Sequence, residues 1–136
     1  MNSPDDRVDE LLAAATAART QAYVPYSHFA VGAALLDDTG RIHAGCNVEN
    51  AAYPQSQCAE ATALGNMVVA GARRLKAVLV LADATRPITP CGGCRQRLHE
   101  FGSADTVVYV ANPQGVQQRF TLGELLPASF GPEHLT

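Results

Sequence analysis

The stretch Cys58-Ala59-Glu60-Ala61-Thr62-Ala63-Leu64-Gly65-Asn66-Met67-Val68-Val69-Ala70-Gly71, with the run Ala77-Val78-Leu79-Val80-Leu81-Ala82 after it, decides the architecture. The first part predicts a helix over residues 58 to about 71. Its apolar residues (Ala59, Ala61, Ala63, Leu64, Met67, Val68, Val69) go almost all the way round. A helix apolar on every side is buried. In a chain this small, other subunits can supply part of the cover. The second part is a continuous apolar run, the pattern of a strand covered on both faces. A buried helix followed by a doubly covered strand predicts α/β layering.

Working outward, residues 5–21 predict a helix with Val8, Leu11, Leu12 and Ala15 on one face. Pro25 and Ser27 mark a turn. Residues 29–36 predict a strand, Asp37-Asp38-Thr39-Gly40 a hairpin turn, and residues 41–47 the returning strand. The polar segment 47–57, with Pro54, is a loop. Beyond residue 82 follow a loop to Pro90, a helix over 91–101 stopped by Gly102, a strand over 106–111 and a fifth strand over 116–120. A short helical turn over 122–126 precedes Pro127. A hairpin followed by strand–helix alternation gives a sheet of mixed direction.

The length of 136 residues predicts a single domain spanning residues 1–136. Hydrophobic residues make up 47%, enough for a core. Ten basic residues are scattered against thirteen acidic ones, for a net charge of −3. That argues against nucleic acid as a partner, since a phosphate backbone is bound through clustered lysine and arginine. No apolar run reaches the about 18–20 residues of a membrane span. The acidic start, Met1 to Glu10, lacks the features of a signal peptide. A cytoplasmic protein is expected, and its four cysteines then point to metal or catalysis rather than disulfides.

Cys58, Cys91 and Cys94 suggest one zinc ion per subunit held by three thiolates. Three protein ligands with an open fourth position are the catalytic arrangement, whereas structural zinc takes four. Both cysteine groups fall at predicted helix starts, whose partial positive charge favours thiolate. Glu60 lies in the first turn after Cys58, placed to take a proton from a metal-bound water. Two simpler alternatives are buried core cysteines and a structural zinc with Cys46 as fourth ligand. Cys58-x-Glu60 and Pro90-Cys91-x-x-Cys94 match the pattern of zinc deaminases acting on nucleobases, with Cys in place of His.

Several further motifs stand in order: Pro25-Tyr26-Ser27-His28-Phe29, Val31-Gly32-Ala33-Ala34-Leu35, Gly45-Cys46-Asn47-Val48-Glu49-Asn50-Ala51, Pro90-Cys91-Gly92-Gly93-Cys94-Arg95-Gln96, Leu125-Leu126-Pro127 and Ser129-Phe130-Gly131-Pro132. Together they resemble the small homotetrameric zinc-dependent cytidine deaminases, from about Tyr23 onward. The resemblance implies a three-layer α-β-α fold with a mixed five-stranded sheet. It implies hydrolysis of cytidine and 2'-deoxycytidine to the uridines with release of ammonia, a step of pyrimidine salvage. It implies Cys58, Cys91 and Cys94 as zinc ligands and Glu60 as proton shuttle. Asn47 and Glu49 would hold the ribose hydroxyl, Phe29 would pack near the nucleoside, and the Ala59 N–H would meet the base carbonyl. Tyr53 and Phe130 would reach active sites across the interfaces of a homotetramer. Family members often carry Arg directly after Cys-Ala-Glu, where it offsets thiolate charge; here that residue is Ala61. Arg95 and the helix-start N–H groups are the candidates to offset it instead, with Arg95 expected to take part of that role.

The carboxylate of Glu49, in a stretch with no lysine or arginine, favours a free nucleoside over a nucleotide. Two alternatives stand beside the leading reading: the same chemistry on a modified cytidine or aminonucleoside antibiotic, and a non-catalytic zinc-binding module. Phe29, taken alone, reads as a core residue at a strand start. His28 is expected to bond locally, and His43, His99 and His134 to lie at the surface.

Overall fold

A computed structural model describes residues 3–135; Met1, Asn2 and Thr136 of the expected 1–136 domain lie outside the described residues. Five strands, β1 (Val31–Asp37), β2 (Ile42–Cys46), β3 (Leu75–Ala82), β4 (Val107–Asn112) and β5 (Gly115–Thr121), form one sheet in the order β2-β1-β3-β4-β5. The β1–β2, β1–β3 and β4–β5 pairs are antiparallel and β3–β4 is parallel, which gives the mixed sheet expected. Helix α1 (Val8–Arg19) follows a 3₁₀ turn at Pro4–Arg7; α2 (Ala59–Val69), α3 (Gly92–Phe101) and the short α4 (Leu122–Leu125) complete the layers.

Alternation along the strands divides the interior into two cores. Ala34, Leu36, Ala77, Leu79 and Leu81 pack under Leu11 and Ala15 of α1. Ala33, Leu35, Val78, Val80 and Val108 pack under Ala63, Leu64 and Met67 of α2 and Leu98 of α3. The unbroken apolar run of β3 thus feeds both faces, as a central strand must. Truncating a buried leucine of this kind to alanine costs about 2–5 kcal/mol.

Two glycines set how closely the helices lie. A Cβ on Gly32 would sit 2.1 Å from the Ala15 carbonyl oxygen, and one on Gly45 would sit 2.4 Å from the Ala63 nitrogen. Gly32 therefore admits α1 to one face. Gly45 admits the first turns of α2 to the other, which fixes where Cys58 comes to rest.

Helix α2 is not covered all round within one chain. Ala59, Ala63, Leu64 and Met67 are buried, but Gly65 is exposed and Val69 is 90% exposed. The histidines also depart from expectation. His43 is buried, because its Nε2 lies 2.8 Å from Oδ2 of the fully buried Asp37. An ionised carboxylate only accepts, so Nε2 carries the hydrogen. Asp37 Oδ1 also accepts from the Thr39 N–H (2.8 Å), the Thr39 hydroxyl (2.6 Å) and the Arg41 N–H (3.1 Å). His99 is half-buried and pairs with the Ser129 hydroxyl at 3.1 Å. His134 is exposed, as expected.

Candidate metal centre

Cysteine occupies the cap position of two helices. Cys58 precedes α2 with φ −71° and ψ 155°, and Cys91 precedes α3 with φ −65° and ψ 167°. That position ordinarily takes Ser, Thr, Asp or Asn, whose oxygen satisfies a free N–H. Neither cysteine makes such a bond. Their sulfurs converge with that of Cys94, in the first turn of α3, all within 4.8 Å of one another. The Cys58 and Cys91 sulfurs are 4.0 Å apart. A tetrahedral zinc ion about 2.3 Å from each thiolate requires sulfurs roughly 3.8 Å apart, so the donor set fits. Cys46, at the end of β2, stands outside this group. A four-cysteine site is thereby set aside.

Burial and mutual proximity set the protonation of the three thiols apart. Burial, then the charges of Glu60 and the other thiols, pushes the Cys94 thiol well up; burial likewise raises Cys58. Burial works against ionisation of Cys91 too, but the Cys94 N–H and the neighbouring thiols bring it below its ordinary value. Three thiolates at this spacing are stable together only around a positive ion.

Glu60 is the other buried polar group here, 4% exposed in the first turn of α2. Burial raises its carboxyl, against the pull of its own backbone N–H and of Arg97. Its charge acts on all three thiols. Ala59, buried between Cys58 and Glu60, carries one of the helix-start N–H groups that have no intrahelical partner.

A cleft of about 420 Å³ opens beside the thiols, and Cys58 belongs to both. Tyr26, Ser27, Asn47, Glu49 and Tyr53 line it. Backbone pairs Val48–Gln57 and Glu49–Tyr23 tie its floor together. The Asn47 amide accepts from the Val31 N–H and donates to the Phe29 carbonyl, each at 2.9 Å. Glu49 accepts from the Tyr26 and Ser27 N–H groups (3.0 and 3.1 Å) and from the Ser27 hydroxyl. The Ser27 N–H and hydroxyl, with the Tyr26 N–H, hold the Glu49 carboxyl below the usual range despite the cost of burial. Tyr53 meets Tyr26 edge-on, with ring centroids 5.9 Å apart. Phe29, 39% exposed ahead of β1 rather than in the core, is not among the cleft's lining residues. Phe130 is also apart from it, stacked on His134 at 5.0 Å.

A family model described as the cytidine and deoxycytidylate deaminase zinc-binding region matches residues 6–111. The chain is 47% identical over 129 residues to a cytidine deaminase of Sporosarcina psychrophila, covering 95% of each. The chain belongs to the cytidine and deoxycytidylate deaminase family. A cytidine deaminase of Mycobacterium tuberculosis is 42% identical over 132 residues, 97% of this chain and 96% of that one. The crystal structure of a cytidine deaminase from Burkholderia pseudomallei superposes with a TM-score of 0.85 at 45% identity, covering 90% of this chain and 98% of that one. The three-layer deaminase fold expected from the sequence is thereby established, as is membership of a zinc-dependent hydrolase family.

Within this deaminase frame Arg95 does not take the part expected of it. Its guanidinium donates to the Pro90 carbonyl (2.7 Å), the Leu125 carbonyl (2.8 Å) and the Thr89 hydroxyl (2.9 Å). It therefore braces the loop before α3 against α4. The residue that reaches a thiol is Arg97, whose Nη1 lies 3.7 Å from Cys94 Sγ. Its signal in the sequence was the three-residue spacing from Cys94. Ser27, which clamps Glu49, was likewise missed; only its place in the Pro-Tyr-Ser turn hinted at it.

Proposed function

We propose that this chain hydrolyses cytidine and 2'-deoxycytidine to uridine and 2'-deoxyuridine, releasing ammonia, as part of pyrimidine salvage in the cytoplasm. The observation that carries the reading is the three-sulfur group with a buried carboxyl in the adjoining helical turn, at the edge of a cleft sized for a nucleoside. Cys58, Cys91 and Cys94 hold zinc, which when bound supplies a Lewis acid that acidifies a water ligand. Glu60 carries protons. Its carboxylate takes a proton from the attacking water and delivers it to the pyrimidine ring nitrogen, which makes C4 more electrophilic. Once the water oxygen has bonded to C4, the carboxylate takes that oxygen's remaining proton and passes it to the amine, whose bond to C4 breaks as ammonia leaves. Burial, by raising its affinity for a proton, suits it to both transfers. The Ala59 N–H meets the base carbonyl.

Asn47 and Glu49 bind the sugar. One amide hydrogen and one oxygen lone pair of Asn47 are engaged, and three bonds reach the Glu49 carboxylate, so each keeps capacity for a hydroxyl. A fixed carboxylate there repels phosphate, which favours a free nucleoside over a nucleotide. The described residues act as one catalytic domain, both cores sharing the strands of a single sheet. The uncovered side of α2, including Ala61, Val68 and Val69, borders a groove of about 660 Å³ together with Phe101. That supports a homotetramer, in which Tyr53 and Phe130 contribute to neighbouring sites and Phe29 closes against the nucleoside. No helix of the described residues is long and apolar enough to cross a membrane.

The test is ammonia release from cytidine, deoxycytidine and a panel of modified cytidines, with zinc measured per chain and mass measured in dilute solution. Release from both natural nucleosides, at four times the 14.3 kDa chain mass, is expected. Release from modified cytidines alone would shift the substrate. Bound zinc with no ammonia from any nucleoside would leave a zinc-binding module.

A further inference from the structure

Cys94 is fully buried, and what faces its sulfur decides how it serves as a ligand. Arg97 stands three residues on in the same helix, so both side chains leave one side of α3. Its Nη1 is 3.7 Å from Cys94 Sγ, within reach of an N–H···S bond. Gly93 keeps the path open: a Cβ there would lie 3.3 Å from that same nitrogen, tighter than an ordinary contact. Arg95, the nearer guanidinium in sequence, is committed to two carbonyls and a hydroxyl. Three thiolates around a divalent ion leave one negative charge uncompensated, and a charge-assisted donor is the strongest remedy a side chain can offer.

We propose that Arg97 is a positioning residue of the metal centre, donating to Cys94 Sγ so that thiolate charge is offset and the ligand's orientation is held. The proposal rests on the zinc reading above and adds to it a residue outside the ligand set. Partners of this kind, bonded to a ligand rather than to the metal, characteristically change metal affinity by about 10–100-fold when removed. Ala61 borders the same groove as Arg97, so a guanidinium placed at residue 61 starts from the same space.

The experiment uses three variants, Arg97→Gln, Arg97→Lys and Ala61→Arg/Arg97→Gln, each prepared as the zinc form and as the cobalt(II) form. Zinc affinity is measured by competition with a chelator, and the sulfur-to-cobalt charge-transfer band by absorption. Arg97→Gln is expected to lose about 10-fold in zinc affinity and to shift the band to longer wavelength, because a thiolate without its donor gives up electron density more readily. Arg97→Lys keeps a charged donor and falls between Gln and wild type, and the double variant moves both readouts back toward wild type. A band unmoved in Arg97→Gln overturns the proposal, even where affinity or melting temperature falls, since that combination marks a merely structural side chain. Failure of the wild type itself to bind zinc or cobalt would instead sink the metal-site reading. The two failures are thus distinguishable.

Discussion

Two acids are buried among the described residues, and they have opposite fates. Asp37, fully enclosed at the hairpin end of β1, is pressed upward by burial. Its bonds from Thr39, His43 and Arg41 more than reverse this and hold it far below the usual carboxylate range. Glu60, almost as enclosed at the start of α2, has only its own N–H and the field of Arg97 against burial, and it is held above that range. The difference is the number of donors. A carboxylate surrounded by donors is locked in one protonation state and serves the fold. One left without them holds a proton more readily and can pass it on, which is what general acid–base chemistry requires.

Swapping each acid for its amide separates the two roles. Glu60→Gln should lower turnover by at least about 100-fold, with zinc content kept and the urea midpoint essentially unchanged. A midpoint shift as large as that of the Asp37 variant would erase the contrast. Asp37→Asn should cost about 2 kcal/mol of stability, since a charged acceptor of several bonds is lost, while turnover per folded molecule stays at the wild-type level.

The pH dependence sharpens the same point. The folded value of Asp37 lies below its unfolded value of about 3.9, so its contribution is complete above that range and is lost as pH falls toward the folded value. Urea titrations from pH 6 down to about pH 3 should therefore show wild type losing its advantage over Asp37→Asn with acid. Parallel curves would mean that the bonds around Asp37 do not favour its charged form. The smallest effect is expected of Thr39→Val, which removes one hydroxyl donor and leaves the backbone donors: about 1 kcal/mol at the pH 6 end of the same series.

The contrast also explains what the sequence disclosed. The convergence of Cys58, Cys91 and Cys94 was legible because each group is local, set by a short motif at a helix start, and Glu60 falls in the first turn beside one of them. The sheet was legible because the hairpin signal at Asp37–Gly40 and the apolar run of β3 are also local. His43 was not, because its burial depends on the acid six residues earlier needing a donor. The assignment of charge balance to Arg95 failed for a similar reason. Adjacency to Cys94 says nothing about direction, and the turn of the helix aims residue 95 at the loop and residue 97 at the sulfur. The uncovered flank of α2 lies at the far limit of such reading, since one chain's sequence shows that the helix is apolar but not what covers it.

The two cysteine groups also flank β3 in the chain, with Cys58 before it and Cys91 after it, 33 positions apart. An ion held by both closes that span into a loop containing the central strand. By the chain-entropy argument used for disulfides, a closure of this length restricts the unfolded ensemble by roughly 4 kcal/mol. The same contacts that assemble the chemistry would then act as a reversible crosslink through the middle of the sheet, tying the lifetime of the folded chain to the occupancy of its metal.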